Sequence, residues 1–572
     1  MNRFRPFILA AAVVFAAFIA YGLWTLPTAQ PVDSEGFSSA RVAKDIEVIS
    51  RKNHSVAHPQ ERAEVREYLI GRLQQLGADT VRVFRYDSLT GPQNKHVVYT
   101  FDAYDILAEF PPLSGADDAT YMMMVAHYDS RYSQPMPKDT VWSYGAADDG
   151  YGLGVILEAA SYLLKERDQW HQGIKVLFTD AEEVGMMGMK AIWENDREVF
   201  DNVGFMINVE ARGPWGPALL FEACPGNSKV MELYQDNASY PFTYSLTTVV
   251  YTFMPNFTDF TIVKDEIPGL NFSTIADINH YHTDLDNFSN ISEKSIQHYG
   301  EQIVPVALKY LTDPEYSDKT ALKAESDATN FTVPVLGFFN FSKTGYMIFN
   351  VVFFVLFLLL LVLETVRGRV KLAAALKKSG IILISALAVL ALGELIAYAC
   401  SAIAGAVFKP FGIIPGIPFD NAAMIVSMVL LTALSAFIYS VQRAKAVRNT
   451  SGSMRASAGI NAARQYANST LFGALTLMFV LSAVLLLALG ENLMFLIPLA
   501  IATVIILAYR ILPLRELFLI GIILILLHVF SFLYALAMAL TIGALGAVMM
   551  IAFIDIMVLI PLVDLYTMPS RK

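Results

Sequence analysis

Histidines and acidic residues follow successive apolar runs in the first half of the chain. Each run is long enough for a buried β-strand, and each is followed within a few residues by groups that bind metal ions. Packing alone does not require such groups at the ends of successive strands, so the pattern predicts a metal site. The groups are His127 and Asp129 after residues 121–126, Asp148 and Asp149 in the glycine-rich segment 145–152, Glu182 and Glu183 after 173–179, Glu210 after 203–209, and His280 and His282 after 268–275.

Each group taken alone also has a structural explanation. A histidine in an H-x-D pattern is most often a surface or core residue, and an aspartate in the segment 145–152 is adequate as a helix N-cap among turn glycines. Alternation along a strand puts His127 and Asp129 on the same side, where the carboxylate can hold the imidazole. The adjacent carboxylates of Glu182 and Glu183 repel each other and are hard to justify by stability. The prediction of a metal site therefore rests on the repeated occurrence of such groups after successive strands.

The elements that position these residues alternate between strand and helix patterns. Such alternation predicts an α/β domain with a mixed, largely parallel sheet, in which ligands gather at the carboxyl ends of the strands. The candidate metal-binding groups fall at those ends. Helical periodicity appears at 59–76, 152–165 and 186–195, and strand-like runs appear at 80–86, 95–104, 120–126, 173–179, 203–209, 218–223 and 268–275.

Composition separates this polar part from a membrane part. The 572 residues are 55% hydrophobic and only 16% charged, whereas soluble domains carry about 25% charged residues. The net charge of −10 divides into −19 for residues 1–342 and +9 for residues 343–572. A strongly acidic half repels nucleic acid, which we exclude as a partner. Two cysteines exclude a disulfide scaffold and a cysteine-based zinc site.

Eight apolar segments are long enough to cross the ~30 Å hydrocarbon core of a lipid bilayer. The first, 7–26, follows Arg3 and Arg5 and predicts an uncleaved signal anchor, with a cleaved signal peptide as the alternative. The loops expected on one side are basic throughout, which puts both termini in the cytosol and the polar domain outside it. We predict an anchor in residues 1–26, a polar domain in 33–342 and a membrane domain in 343–572. The remaining segments are 346–366, 380–407, 421–441, 470–490, 492–509, 516–534 and 537–563.

The motifs of the polar domain resemble those of the M28 zinc aminopeptidases, over residues 40–312 and in the family's order. The membrane-tethered arrangement is similar to the branch of vacuolar and endoplasmic-reticulum membrane peptidases. The resemblance implies a three-layer α/β/α zinc-peptidase fold. The motifs are His127-Tyr128-Asp129-Ser130, GAADDGYG at 145–152, Glu182-Glu183-Val184-Gly185, Asn208-Val209-Glu210 and Tyr281-His282-Thr283.

Carried over residue by residue, the resemblance implies two Zn²⁺ per chain. Asp148 would bridge the two ions; His127 and Glu210 would complete one site, and Glu183 and His282 the other. Glu182 would act as the general base. Three positions depart from the pattern, Gly150, Tyr151 and Met189, and none of them is an implied ligand. His280 is a second candidate ligand, disfavoured because Thr283 follows His282 as in the family. The resemblance also implies a cis peptide between Asp148 and Asp149.

The implied activity is removal of N-terminal residues from peptides by attack of a metal-bridged hydroxide. Two alternatives stay open. Glutaminyl cyclases resemble this domain, but they use one zinc ion for an acyl transfer without water. A transporter or receptor whose outer domain only binds peptides would leave the complete ligand set unused, although buried unpaired carboxylates are costly.

The predicted location is a bacterial cell membrane or, in a eukaryote, a vacuolar or endoplasmic-reticulum membrane. Glu394, His528 and Asp555 lie within predicted membrane segments. Such residues are functional candidates by default, but a structural role in helix packing is equally compatible with their positions. We assign the membrane segments only anchoring and substrate presentation.

Overall fold

The computed structural model describes residues 5–20, 26–92, 98–115, 118–136, 139–252, 257–414, 416–450 and 456–568. The chain divides into two compact units. The polar unit consists of Trp24–Thr332 and Leu336–Lys343, and the helical unit consists of Met1–Leu23, Val333–Val335 and Thr344–Lys572.

The polar unit is built on a seven-stranded mixed sheet in the order β1-β2-β6-β3-β7-β9-β8. The four central strands β6, β3, β7 and β9 are parallel, and β1, β2 and β8 join antiparallel at the edges. The strands are β1 (Thr80–Pro92), β2 (Val98–Phe110), β3 (Tyr121–His127), β4 (Tyr132–Met136), β5 (Asp139–Trp142), β6 (Gly173–Thr179), β7 (Val203–Ala211), β8 (Leu219–Ala223), β9 (Gly269–Thr274), β10 (Thr329–Val333) and β11 (Gly337–Phe341).

Helices pack on this sheet and bury its central strands. Every residue of β3, β6, β7 and β9 is buried, as expected for parallel strands covered on both faces. The predicted α/β fold with a largely parallel sheet is therefore confirmed. The helices of this unit are α2 (Ser39–Ile49), α3 (Pro59–Gln75), α4 (Gly150–Leu163), α5 (Met187–Asn195), α6 (Ser228–Asn237), α7 (Ser245–Thr252), α8 (Asp259–Val263) and α9 (Glu293–Thr312).

The predicted elements of the polar unit are present, with bounds that differ by a few residues at most places. Two strands are exceptions, because β1, predicted at 80–86, extends to Pro92, and β2, predicted at 95–104, extends to Phe110. The structure has β2 at Val98–Phe110, and the predicted start at 95–97 lies outside the described residues. Helices α2 and α9 were not predicted, although each begins with a serine N-cap, Ser38 and Ser292.

Among the described residues, the helical unit contains α1 (Arg5–Ala20) and seven further α-helices in 343–567. By length and composition, six stretches of the described chain can cross a bilayer, and the last of them, Glu516–Thr567, contains two of these helices. A 3₁₀ turn at Thr541–Ala544 separates that pair, which pack against each other. The seven are α10 (Lys343–Val366), α11 (Leu372–Ala404), α12 (Asp420–Thr450), α13 (Ala456–Leu489), α14 (Leu493–Ile511), α15 (Glu516–Leu540) and α16 (Leu545–Thr567).

The described part of α1, Arg5–Ala20, covers residues 7–20 of the predicted segment 7–26. Residues 21–25 of the predicted anchor lie outside the described residues.

Candidate metal site

The carboxyl ends of the central strands deliver the candidate ligands to one edge of the sheet. His127 is the last residue of β3, Glu210 lies near the end of β7, and Glu182 and Glu183 follow β6 in a short 3₁₀ turn. Asp148 precedes α4, whose packing against β3 and β7 brings the loop to the same edge. His282 follows β9. The parallel order of these strands thus gathers residues up to 155 positions apart in the chain.

The five predicted ligands form two clusters that share Asp148. In the first, His127 Nε2 lies 3.2 Å from Asp148 Oδ1 and 3.8 Å from Glu210 Oε2. In the second, His282 Nε2 lies 3.3 Å from Asp148 Oδ2 and 3.1 Å from Glu183 Oε2. In each cluster the three ligand atoms lie within 4.8 Å of one another.

These distances and the bonding of the atoms fit zinc. Two ligands at about 2.1 Å from a tetrahedral ion lie about 3.4 Å apart, close to the separations in both clusters. Asp148 Oδ2, Glu183 Oε1 and His282 Nε2 are buried and make no hydrogen bond. Buried polar atoms are normally satisfied, so unbonded atoms that converge in this way are placed to bind a cation. The donor set of imidazole nitrogen and carboxylate oxygen is the set that zinc takes.

The electrostatics of the cluster favour a cation as well. Burial raises the pKa of Glu182 well above its ordinary value, and the carboxylates of Glu210 and Glu183 raise it further. Burial likewise raises the pKa of Glu210. Burial also opposes ionisation of Asp148, but the imidazoles of His127 and His282 outweigh it and lower the pKa of that carboxyl. Carboxylates outnumber positive charges here, and a divalent ion would relieve their repulsion.

Asp129 supports the site in two ways, one of which the sequence did not indicate. The predicted contact of its carboxylate with His127 is long, with Oδ1 3.5 Å from Nδ1, and the backbone carbonyl of Asp129 is closer, at 2.9 Å from that nitrogen. The carboxylate instead accepts the backbone N–H groups of Glu182 at 2.8 Å and Glu183 at 3.3 Å. Asp129 therefore links the turn that carries both glutamates to the strand that carries His127.

The loop before α4 is fixed by two further carboxylates. Asp149 Oδ1 accepts the N–H of Gly152 at 2.9 Å, so Asp149 is the N-cap of α4, and its Oδ2 accepts the N–H of His127 at 3.3 Å. Asp286 accepts the N–H of Ala147 at 2.6 Å. The peptide bond between Asp148 and Asp149 is cis, as the resemblance implied. Asp286 was missed by sequence reasoning because it follows no strand.

Left-handed backbone conformations occur at one candidate residue and directly before another. Ala181, just before Glu182, has φ of +59°, and His282 has φ of +58°. Non-glycine residues rarely take this conformation, and they cluster at functional sites. The ring of His282 stacks on that of Tyr281, with centroids 3.6 Å apart. His280, the second candidate ligand, ends a 3₁₀ turn and belongs to neither cluster.

Arg131 and Asn208 contact the ligands from outside the two clusters. Arg131 Nη1 lies 3.2 Å from Glu183 Oε2 and also donates to the backbone carbonyl of Glu183. Asn208 Nδ2 donates to Glu210 Oε1 at 3.2 Å. Asn208 alternates with Glu210 along β7, so its position was part of a recognised motif, whereas nothing in the sequence marked Arg131.

Comparison with known proteins finds that the polar unit is similar to one family of peptidases. The profile of peptidase family M28 matches residues 105–307. The chain is 29% identical over 216 residues to endoplasmic reticulum metallopeptidase 1 of Homo sapiens, a match that covers 36% of this chain and 22% of that protein. It is 25% identical over 351 residues to the vacuolar membrane protease of Schizosaccharomyces pombe, covering 57% of this chain and 37% of that protein. The chain thus spans well under half the length of these relatives.

Among solved structures, a zinc-dependent exopeptidase from Parabacteroides distasonis aligns with 48% of this chain and 98% of its own, at 18% identity and a TM-score of 0.37. The family match falls on the strands and loops that carry the two clusters. Together with the relatives named above, it shows that the polar unit is similar to peptidase family M28 over the residues that carry both clusters.

Proposed function

We propose that this protein is a membrane-anchored zinc aminopeptidase that removes N-terminal residues from peptides with two zinc ions. His127, Asp148 and Glu210 would hold one ion, and Asp148, Glu183 and His282 the other. The observation that carries the proposal is the sharing of Asp148. Its two oxygens face different histidines, Oδ1 toward His127 and Oδ2 toward His282, which is the arrangement that a carboxylate bridging two ions requires.

The zinc ions, when bound, would polarise the scissile carbonyl and lower the pKa of water. Glu182 lies beside both clusters but belongs to neither, so we assign it the role of general base. Its raised pKa suits a group that takes a proton from water and returns it to the leaving amine. The N–H groups of Glu182 and Glu183 both bond to Asp129, which keeps base and ligand in a fixed relation.

The acidity of the polar part favours substrates with a free amino terminus. Residues 1–342 carry a net charge of −19, and such a surface attracts an N-terminal ammonium group. Peptides acetylated at the α-amino group should therefore react poorly. We also propose that both termini lie in the cytosol and the polar unit outside it, in line with the basic loops on one side of the helical unit.

A panel of aminoacyl arylamides, assayed with and without a chelator and paired with zinc analysis, tests this proposal. We expect hydrolysis that is lost with chelation and returns with zinc, and two zinc ions per chain. One zinc per chain with cyclisation of N-terminal glutamine would favour the glutaminyl cyclase alternative. Efficient cleavage of acetylated peptides would indicate an endopeptidase.

A further inference from the structure

The helical unit contains a cavity of about 590 Å³, within the range of small-molecule sites. Helices α1, α12, α15 and α16 form its wall. The lining side chains are mostly apolar, among them Leu9, Met428, Leu526, Ala552, Ile556 and Leu559. All of these helices belong to the helical unit, so the cavity is a feature of that unit alone.

One wall residue, Asp555, is a buried acid without a partner. It is 1% exposed, and neither of its carboxyl oxygens makes a hydrogen bond within the described chain. It lies ten residues after Leu545, the first residue of α16, or about 15 Å from the start of the helix. Asp555 therefore sits near the middle of a helix that is long enough to cross a bilayer, and it lines the cavity at that depth.

A second acid on the same wall is fully paired. Asp564, nine residues further along α16, bonds to Arg443 Nε at 2.7 Å and accepts the hydroxyl of Tyr439 at 3.0 Å. The side chain of Arg443 is one-third exposed and also lines the cavity. The cavity thus has an unpaired carboxyl group at one level of α16 and, at the level of Asp564 about 13.5 Å further along the helix axis, a paired and partly accessible cation.

A structural role for Asp555 does not account for this arrangement. An acid that locks helices together donates or accepts a hydrogen bond across the interface, and Asp555 makes none within the described residues. A carboxyl group without a partner in apolar surroundings is costly. Open space beside it adds to the cost, because packing contacts are lost as well. A ligand that carries a positive charge would remove both costs.

We propose that this cavity binds a short apolar peptide whose free α-ammonium group pairs with Asp555 and whose carboxylate lies toward Arg443. Four extended residues span about 13–14 Å and three about 10–11 Å, and for three residues the ion-pair contacts of about 3 Å at the two ends complete the distance. The depth of Asp555 argues against a lipid amine as the source of the charge, because lipid head groups lie at the interface. Apolar side chains of the peptide would pack against the aliphatic wall.

This site is separate from the proposed zinc centre, and binding there requires no hydrolysis. The test uses the full chain with Glu182→Gln in lipid nanodiscs, and tritiated tri-leucine as the probe. We expect two saturable sites, one of which is lost on chelation of zinc. The site that remains after chelation is the one assigned to the cavity, so a failure of the aminopeptidase proposal would leave it in place.

Two variants probe the cavity in that background. Asp555→Asn should weaken the chelator-resistant site at least about tenfold, and N-acetyl-tri-leucine should not compete for it. Ala436→Leu keeps Asp555 but fills the space beside α12 and should abolish binding at the same site. This variant still tests the proposal if Asp555→Asn fails to fold. Glu394→Gln is the matched control, because it removes another membrane carboxylate that does not line the cavity, and it should leave both sites unchanged.

Three results would overturn the proposal. The first is an unchanged chelator-resistant site in both Asp555→Asn and Ala436→Leu. The second is equal competition by the acetylated peptide, since the ammonium group would then contribute nothing. The third is a co-purified phospholipid that is lost in Ala436→Leu, together with no tri-leucine binding after chelation; this result would assign the cavity to a lipid.

Discussion

Two buried carboxylates, Glu364 of the helical unit and Asp148 of the polar unit, have opposite surroundings. In the helical unit, Glu364 is fully buried and paired with Arg510 at 2.6 Å and Arg369 at 3.0 Å. In the polar unit, Asp148 is also buried, but its neighbours are two histidines and further acids, and its Oδ2 makes no hydrogen bond. An acid whose charge is met by arginine is explained by the fold itself. An acid whose unbonded atoms converge with those of other ligands is instead arranged to bind a cation.

The scaffolds explain this difference. Parallel strands end at one edge of a sheet, so loops from distant parts of the chain meet there and can bring several acids together. Helices that pack side by side present single residues at each level, so a buried acid such as Glu364 can be met by one or two partners from neighbouring segments. The following predictions test whether the two kinds of buried acid behave differently.

The largest effect is expected for Asp148→Asn, which removes the charge shared by both clusters. Zinc content should fall, and kcat/KM on aminoacyl arylamides should drop at least about 10⁴-fold, because most of an enzyme's acceleration depends on an intact centre. Zinc analysis and initial rates measure the two effects. Asp201→Asn, at an exposed acid, is the control. Retained zinc in Asp148→Asn would contradict the bridging role.

Glu182→Gln should separate the base from the ligands. Two zinc ions should remain, while kcat falls by about 10²–10⁴, the usual contribution of a general base. The same zinc analysis and rate measurements apply. If zinc is lost as in Asp148→Asn, Glu182 is a ligand and the division of roles between Glu182 and Glu183 is wrong.

Glu364→Gln should affect stability without affecting chemistry. It leaves two arginines beside a neutral amide, and breaking a buried ion pair by removing one partner costs about 3–5 kcal/mol. The melting temperature in detergent should fall, with zinc content and arylamide hydrolysis unchanged below it. Glu516→Gln is the matched control: its pair with Arg5 is 3.3 Å long and half exposed, so the change should stay within about 1 kcal/mol. Loss of zinc in Glu364→Gln would contradict the assignment of Glu364 to stability alone.

A smaller, pH-dependent effect is expected at His298, a buried group of the polar unit whose Nδ1 has two close neighbours. Its Nδ1 accepts the N–H of Ala218 at 3.1 Å and contacts Gln302 Nε2 at 2.9 Å. Burial lowers the pKa of His298 from 6.5 to about 3. Between these two pH values His298 is protonated in the unfolded chain and neutral in the folded chain. Its contribution to the free energy of unfolding is therefore fully present above pH 6.5 and is lost as the pH drops toward 3.

Between pH 7 and pH 5 this single group should cost about 2 kcal/mol of the free energy of unfolding. Urea unfolding followed by tryptophan fluorescence at the two pH values measures it. In His298→Gln the pH dependence should be smaller by that amount, although stability at pH 7 falls as well. An identical pH dependence in both proteins would show that His298 is protonated in the folded chain.

Much of the site follows from local patterns in the sequence. The runs of buried strand predicted β3, β6, β7 and β9 closely, and the acids and histidines after them are the residues that meet in the structure. Apolar segment length likewise predicted seven helices after residue 343. Elements with a weaker local signal were missed. Helix α9 carries an internal proline, Pro305, and β10 and β11 form a separate two-stranded sheet.

The sequence by itself determined which chemical groups are available and at which strand ends they lie, because strand and helix periods are local properties. Only the tertiary structure decided that Asp148 faces both histidines, that Asp129 holds the backbone of the two glutamates, and that Asp286 supports the loop. Those relations depend on strand order and on side-chain directions that no local pattern encodes. The same reason applies in the helical unit, where Glu364, Asp555 and Asp564 look alike in sequence and differ only in what packs beside them.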